Sequence, residues 1–354
     1  MTEVNTTRLP FDTAYLTEVL RRAEILNAGH VTGIEIASTQ VNILSQTHRL
    51  VPKYAGGADG APASFFLKMA APARTADQRS EGPREVEFYE KIAAGNPLDV
   101  RPWCYDARWN AETRAWYLLL EDLSVTHFVA TRWPLPPSLE QCLRMVQALA
   151  RCHASQWENA RLGVEIGTRP DAATAVHWAR NFAKQFARFS DHAGDWLSDE
   201  RRALMERLIE EAPRLLAYGE HRPMTLTHGD AHLWNCFLPR DAIVGKEKWF
   251  DWDNWHVDIG ARDLAYMMAV HWYPDRRRRF ETVMLDSYHD ALIANGVGSY
   301  DRDALQDDYR LAVLRQLATP VWQWADGLPP NIWWSHLERV YLAADELDCR
   351  NLLT

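Results

Sequence analysis

His228-Gly229-Asp230-Ala231-His232-Leu233-Trp234-Asn235 sets Asp230 five positions before Asn235, with His228 two positions before the aspartate. A second acidic element follows at Phe250-Asp251-Trp252-Asp253. Met224-Thr225-Leu226-Thr227 reads as a short extended run leading into the first element. Cys236-Phe237-Leu238 reads as a second run leading away, and Lys248-Trp249-Phe250 as a third that ends at Asp251. Pro239-Arg240-Asp241 supplies turn chemistry between the last two. A hairpin of those two strands brings Asn235 and Asp251 close together.

These residue types meet the needs of one reaction. Moving a γ-phosphoryl group to an alcohol asks for an acceptor oxygen held in line and relieved of its proton, and for divalent metal on the phosphate oxygens. The spacing His-x-Asp-x-x-x-x-Asn, followed by a further aspartate, fits that division of labour. Asp230 is the candidate catalytic base. Asn235 and Asp251 are the candidate Mg2+ ligands, being hard oxygen donors that leave the ion some of its waters. His228 completes the catalytic pair of the loop and braces it by hydrogen bonds. Two other readings stay open. His228, Asp230 and His232 could serve a metal-dependent hydrolase, although His232 sits at no standard zinc-ligand spacing. The chain could also bind a nucleotide without turning it over.

The same residues resemble the aminoglycoside phosphotransferase and choline kinase-like superfamily, and within it the ecdysteroid-kinase-like and bacterial phosphotransferase branches. His228-Gly229-Asp230 with Asn235 is similar to that family's catalytic loop. Asp251-Trp252-Asp253, Gly260 and Asp263-Leu264-Ala265 are similar to its metal segment and following helix. The resemblance implies an α+β, bilobal protein-kinase-like fold: a small strand-rich N-terminal lobe over 1–121 that binds nucleotide, and a larger, mainly helical C-terminal lobe over 122–354 that carries catalysis and substrate binding. It implies ATP and Mg2+ as cofactors and a small-molecule hydroxyl as acceptor. Lys68, in Phe65-Phe66-Leu67-Lys68-Met69, resembles the strand lysine that meets the α- and β-phosphates. Glu85 resembles the helix glutamate that orients it, with Glu87 the nearby competitor. Glu121, Asp122 and Leu123 resemble the hinge beside the adenine. The phosphate-covering loop is expected between Ile36 and Ser45, where Ser45 is the candidate contact. This stretch departs from the family in having no glycine, which close approach to phosphate favours. Asp253 and Asp258 depart from it too.

Bulk properties narrow the class. The chain has 354 residues, 47% apolar and 25% charged, with formal net charge −9. That balance fits a globular protein with a large core and argues against a general nucleic-acid binder. Arg276-Arg277-Arg278-Arg279, the one basic run, reads as a solvated helix start. Five scattered cysteines without a C-x-x-C pair fit reduced thiols. No window reaches the length of a membrane span, and the N-terminus lacks a signal pattern. A cytoplasmic location with no membrane partner is expected.

Helical spacing covers Phe11–Leu26, Pro83–Ala94, Ser138–Trp157, Thr174–Phe189 and Asp199–Tyr218, the last disturbed at Pro213. It resumes at Asp263–His271 with Asp263 as N-cap, then at Phe280–Asn295, Arg302–Ala318 and Trp333–Leu347. Strand patterns run over Val31–Ala37, Val41–Val51, Phe65–Met69, Trp103–Trp109 and Ala115–Glu121. Sixteen tryptophans are many for this length. Trp234, Trp255 and Trp324, with Asp253, are the candidate substrate residues. They would line an aromatic pocket for a flat, apolar or quaternary-ammonium alcohol.

Overall fold

The structure, a computed structural model, describes residues 9–41, 45–71, 82–93, 100–219 and 221–353. The chain divides into two compact units, Met1–Phe128 and Val129–Thr354.

The first unit is one antiparallel sheet with a helix on it. Helix α1 (Thr13–Arg22) starts at Asp12, whose carboxylate accepts the Tyr15 N–H at 2.8 Å. Strands β1 (His30–Val41), β2 (Ser45–Ala55) and β3 (Phe65–Ala70) come next. Helix α2 (Gly82–Glu87) then runs into a single π-turn (Phe88–Ile92), before β4 (Cys104–Trp109) and β5 (Trp116–Glu121). The strand order is β1-β2-β3-β5-β4. Side chains alternate across a strand, so Phe65 and Leu67 of β3 share one face. There they join Leu50, Leu119 and the α1 residues Leu16, Val19 and Leu20 in a closed core. Each such side chain contributes roughly 2 kcal/mol of apolar burial. The same alternation turns Lys68 to the opposite face, where α2 lies. The expected phosphate loop takes another form: 37–41 extend β1, Ser45 opens β2 and is buried, and 42–44 lie outside the described residues.

A short strand β6 (His127–Val129) comes next along the chain. The second unit opens with α3 (Leu139–Gln156). Ser138 caps it through a reciprocal pair with Gln141, a capping box. Helices α4 (Ala172–Ala193) and α5 (Asp199–Leu215) follow. The latter runs through Pro213 and ends at Leu215. A proline so near a helix end costs little of the hydrogen-bond ladder, so the expected disturbance amounts to termination.

The middle of this unit is built of short strands: β7 (Thr225–Thr227), β8 (Cys236–Pro239), β9 (Lys248–Trp249) and β10 (His256–Asp258). β7 pairs antiparallel with β10, and β8 with β9. Helix α6 (Ala261–Ala265) passes directly into a π-turn (Tyr266–Val270). The chain closes with α7 (Pro274–Ala294), α8 (Arg302–Gln316), α9 (Thr319–Ala325) and α10 (Pro330–Glu346). Helix α9 has no counterpart in the expected set. Helix α7 takes in the arginine run read as a helix start as well as the Phe280–Asn295 pattern, with Pro274 in its first turn. Its arginine run is not simply solvated. Arg277 is buried and bonds Glu281 and Glu346, and Arg276 lies 4.6 Å from the Trp272 ring. Among the described residues no helix is long and apolar enough to cross a membrane.

Candidate active site

The loop after β7 is held from beneath. Gly229 has φ +81°, and a Cβ there would stand 1.9 Å from the Asn254 carbonyl oxygen, so only glycine fits. The backbone N–H groups of His228 and Gly229 have no strand partner. Both donate to Asp263, at 2.7 Å to Oδ2 and 2.9 Å to Oδ1. His153 of α3 approaches the same Oδ2 with Nε2 at 3.1 Å, and its Nδ1 lies 2.7 Å from the Tyr288 hydroxyl of α7. Asp263 and His153 are fully buried. Burial works to raise the Asp263 pKa, but the hydrogen bond from His153 and the neighbouring donors outweigh it and hold it below the usual carboxylate range. Asp263 is therefore not the N-cap of its own helix. Gly260 takes that position, and Asp263 faces the loop.

His228 is a brace. Its Nε2 donates to the Phe250 carbonyl at 2.9 Å, and its Nδ1 accepts the Asp230 N–H at 3.3 Å. Its ring packs 4.5 Å from Trp252. Burial lowers its pKa, which keeps the imidazole neutral. With both nitrogens engaged, it has no lone pair for a metal. The hydrolase arrangement of His228, Asp230 and His232 thus lacks its first ligand. Among the described residues no group of three or more His, Cys, Asp or Glu is arranged to hold a metal ion.

Asp230 sits at the loop's mouth with its side chain partly exposed. Asn235 Nδ2 donates to Asp230 Oδ2 at 2.9 Å and to its backbone carbonyl at 3.1 Å. A 3-10 turn over Leu233–Asn235, anchored by buried Leu233, makes this return possible. Because the Asn235 amide nitrogen is used on Asp230, its Oδ1 is left for a cation. The Phe250 N–H donates to the Asn235 carbonyl at 3.0 Å, continuing the β8–β9 hairpin, so Asp251 emerges beside Asn235. Asp251 has φ +69°, a left-handed conformation uncommon for a residue with a side chain. Asn235 and Asp251 are a hard oxygen pair of the kind Mg2+ takes. Behind them the Tyr266 phenol is pushed well above its ordinary pKa by burial and by Asp230 and Asp253.

In the first unit, Lys68 Nζ stands 2.6 Å from Glu85 Oε2, with side chains 14% and 2% exposed. The competitor Glu87 pairs instead with Lys91 at 2.8 Å. Asp122 accepts Arg49 Nε and Ser64 Oγ at 2.6 Å each and the Ser124 N–H at 2.9 Å. Its pKa falls to about 2, against the effect of burial, because those donors favour the charged form. Its carboxylate thus fastens the 121–123 segment to the sheet. The Glu121 N–H is given to the Trp103 carbonyl at 2.9 Å.

Of the proposed substrate residues, Trp255 is 2% exposed and packs over Gly167, so it belongs to the core and cannot line a pocket. Trp234 is partly exposed, its Nε1 donating to Thr131 Oγ1 and the Leu135 carbonyl. Trp324 lies among Phe189 and His192, with the Arg188 guanidinium 5.8 Å from its ring. Asp253 accepts the Asn254 side-chain amide at 3.0 Å. Asp258 is a buried hub that accepts from Tyr218, Arg262 and Arg315 at 2.7, 2.8 and 2.6 Å.

The sequence reads Asp263 as part of a helix start, and His153 falls within the Ser138–Trp157 helical pattern. A histidine on an otherwise apolar helical stripe was the available signal for the second. Tyr266, His271 and His336 carried no signal in spacing.

The two units, the five-stranded sheet with its Lys68–Glu85 pair and the helical body around the Asp230 loop are those of a kinase-like α+β fold. The chain belongs to the ecdysteroid kinase-like family, whose model matches residues 82–296. Three solved structures share the fold at low identity. One is a Ralstonia eutropha JMP134 protein assigned as an aminoglycoside phosphotransferase: 15% identity, TM-score 0.59, 97% of this chain and 99% of that one. Another is an amicoumacin kinase solved with AMP-PNP, Ca2+ and its ligand: 13% identity, TM-score 0.53, 95% and 94%. The third is a choline/ethanolamine kinase family protein of Mesorhizobium loti: 12% identity, TM-score 0.51, 91% and 92%. A comparison with curated proteins found no match.

Proposed function

We propose that this chain is an ATP- and Mg2+-dependent kinase that phosphorylates a hydroxyl group of a small molecule. The observation that carries the reading is the Asp230–Asn235 hydrogen bond, made on a loop whose backbone is clamped by Asp263. Asp230 accepts the proton of the acceptor hydroxyl and orients its oxygen. Asn235 fixes the rotamer of that carboxylate. Asn235 Oδ1 and the Asp251 carboxylate would hold Mg2+. When bound, the ion neutralises charge on the phosphate oxygens. Lys68, steadied by Glu85, meets the α- and β-phosphates, and the backbone of 121–123 meets the adenine. The family match and the neighbours that are themselves small-molecule kinases support this assignment.

The test is thermal stabilisation of the purified protein by ATP with and without Mg2+, followed by ATP consumption across a panel of alcohols, amino alcohols and aminoglycosides. Stabilisation that needs Mg2+, with acceptor-dependent consumption, is expected. Absence of any Mg2+-dependent stabilisation overturns the kinase reading. Binding without consumption by any acceptor points to a non-catalytic nucleotide binder.

A further inference from the structure

Three imidazoles stand in a row beside the catalytic loop. His232 follows Asp230 on the loop, His271 ends the π-turn after α6, and His336 lies on α10. Ring centroids are 5.4 Å apart for His232 and His271, and 4.6 Å for His271 and His336. His232 Nε2 is 3.5 Å from Asp230 Oδ2, so the row begins at the proposed base. Trp234 and Tyr266 pack on His271 at 5.7 and 4.9 Å.

The hydrogen bonding of these rings is incomplete. His232 Nδ1, both nitrogens of His271 and His336 Nε2 are shielded from solvent and have no partner. His336 is 2% exposed. Its Nδ1 lies 2.8 Å from Gln323 Oε1, which places the proton there and a lone pair on the unpartnered Nε2. A buried donor or acceptor left unmet costs about 1–3 kcal/mol. Four such atoms in one cluster are costly for the fold and are what a ligand-recognition face looks like before its ligand arrives.

The chemistry of the face selects a ligand. Burial lowers the pKa of His271 and His336, the latter to about 3, helped at His271 chiefly by the neighbouring imidazoles and at His336 chiefly by Arg339, so both rings are neutral. Neutral imidazole offers a donor on one nitrogen and an acceptor on the other. A hydroxyl group both donates and accepts, so it satisfies such a set. An ammonium only donates, and a quaternary ammonium does neither. The fixed charge nearest the far end of the row is the Arg339 guanidinium, which donates to the His271 carbonyl at 3.0 Å and covers the Tyr273 ring. That charge disfavours a cation at this end of the row, while the Asp230 carboxylate stands at the other end.

We propose that His232, His271 and His336 form the acceptor-recognition face of the active site, and that it takes an uncharged acceptor carrying a second hydroxyl near the one that is phosphorylated. This rests on the kinase reading above, and two arms keep the two claims apart.

The first arm needs no acceptor. In free protein, His271→Phe removes two unmet nitrogens from an aromatic setting, so its melting temperature should equal or exceed that of the parent. A fall of more than about 5 °C would show that the nitrogens are structural and overturn the proposal. The second arm compares the trans diol of cyclohexane with the matching trans amino alcohol. The diol should have at least tenfold higher kcat/KM. His271→Phe should raise its KM at least tenfold, with kcat and the ATP KM within about threefold, and His271→Gln should recover part of the loss. Preference for the amino alcohol, or an unchanged diol KM in His271→Phe, overturns the proposal while leaving the kinase reading in place. Failure of ATP and Mg2+ to stabilise the parent protein overturns the kinase reading, and the proposal with it.

Discussion

Asn235 folds back onto Asp230, bonding both its carboxylate and its carbonyl within one six-residue turn. The same side chain thus fixes the carboxylate proposed as the base, using its amide nitrogen and not its oxygen. Asp230→Ala should lower kcat by about a thousandfold or more, in the range that general-base and positioning effects supply together. Affinity for Mg2+-ATP should stay within about threefold. Single-turnover kinetics with a binding titration checks this, and retained turnover with lost nucleotide binding would remove Asp230 from the chemistry.

Asp251 contributes the only charged oxygen of the proposed metal pair. Asp251→Ala should weaken Mg2+-dependent nucleotide binding about tenfold or more and leave metal-free binding nearly as it was. Isothermal titration with and without Mg2+ reads both numbers. Equal losses in the two conditions would mean that Asp251 acts through the fold.

Lys68 and Glu85 are an ion pair within the first unit, and their predicted effects differ. Lys68→Met should raise the ATP KM about tenfold, since it removes the positive charge. Glu85→Gln keeps the shape but loosens the orientation, so its effect should be smaller. An initial-rate study of both variants tests the order, and a larger effect in Glu85→Gln would contradict it.

Asp258 should tie stability to acid pH. Burial favours its neutral form, but Arg315 and Arg262 outweigh this and bring its pKa from 3.8 to about 2. A carboxylate whose folded pKa is depressed gives stability that is complete above the unfolded value and is lost as pH falls through the folded one. Its share, roughly 2 kcal/mol, should be present at pH 6 and disappear between about pH 5 and pH 2. Urea unfolding across that range should show the slope in the parent protein. Asp258→Asn should be less stable at pH 6 and lose that part of the slope; an unchanged slope would show that other carboxylates carry it.

The β8–β9 hairpin was legible because its cause is local: turn residues at Pro239–Asp241 between two short apolar runs. Helix α3 was legible from Ser138 and the spacing of Leu143, Val146 and Leu149. Lys68 stood out as a single charge on an apolar strand. What escaped is non-local. Asp263 has the composition of a helix cap, and its partners His228 and Gly229 lie far earlier in the chain. His271 and His336 meet only because the π-turn after α6 and helix α10 pack together. Trp255 looked like a pocket residue by its nearness to Asp251 in sequence, yet β10 begins just after it and turns it into the core.

The clamp on the His228–Gly229 backbone has a kinetic corollary. These two amide protons are bonded to a side chain on α6, which is linked through His153 and Tyr288 to α3 and α7. They can meet solvent only when that helical body opens. In a deuterium-exchange experiment the loop should therefore keep its protons as long as the slowest helices do, an unusual record for a segment with almost no regular secondary structure.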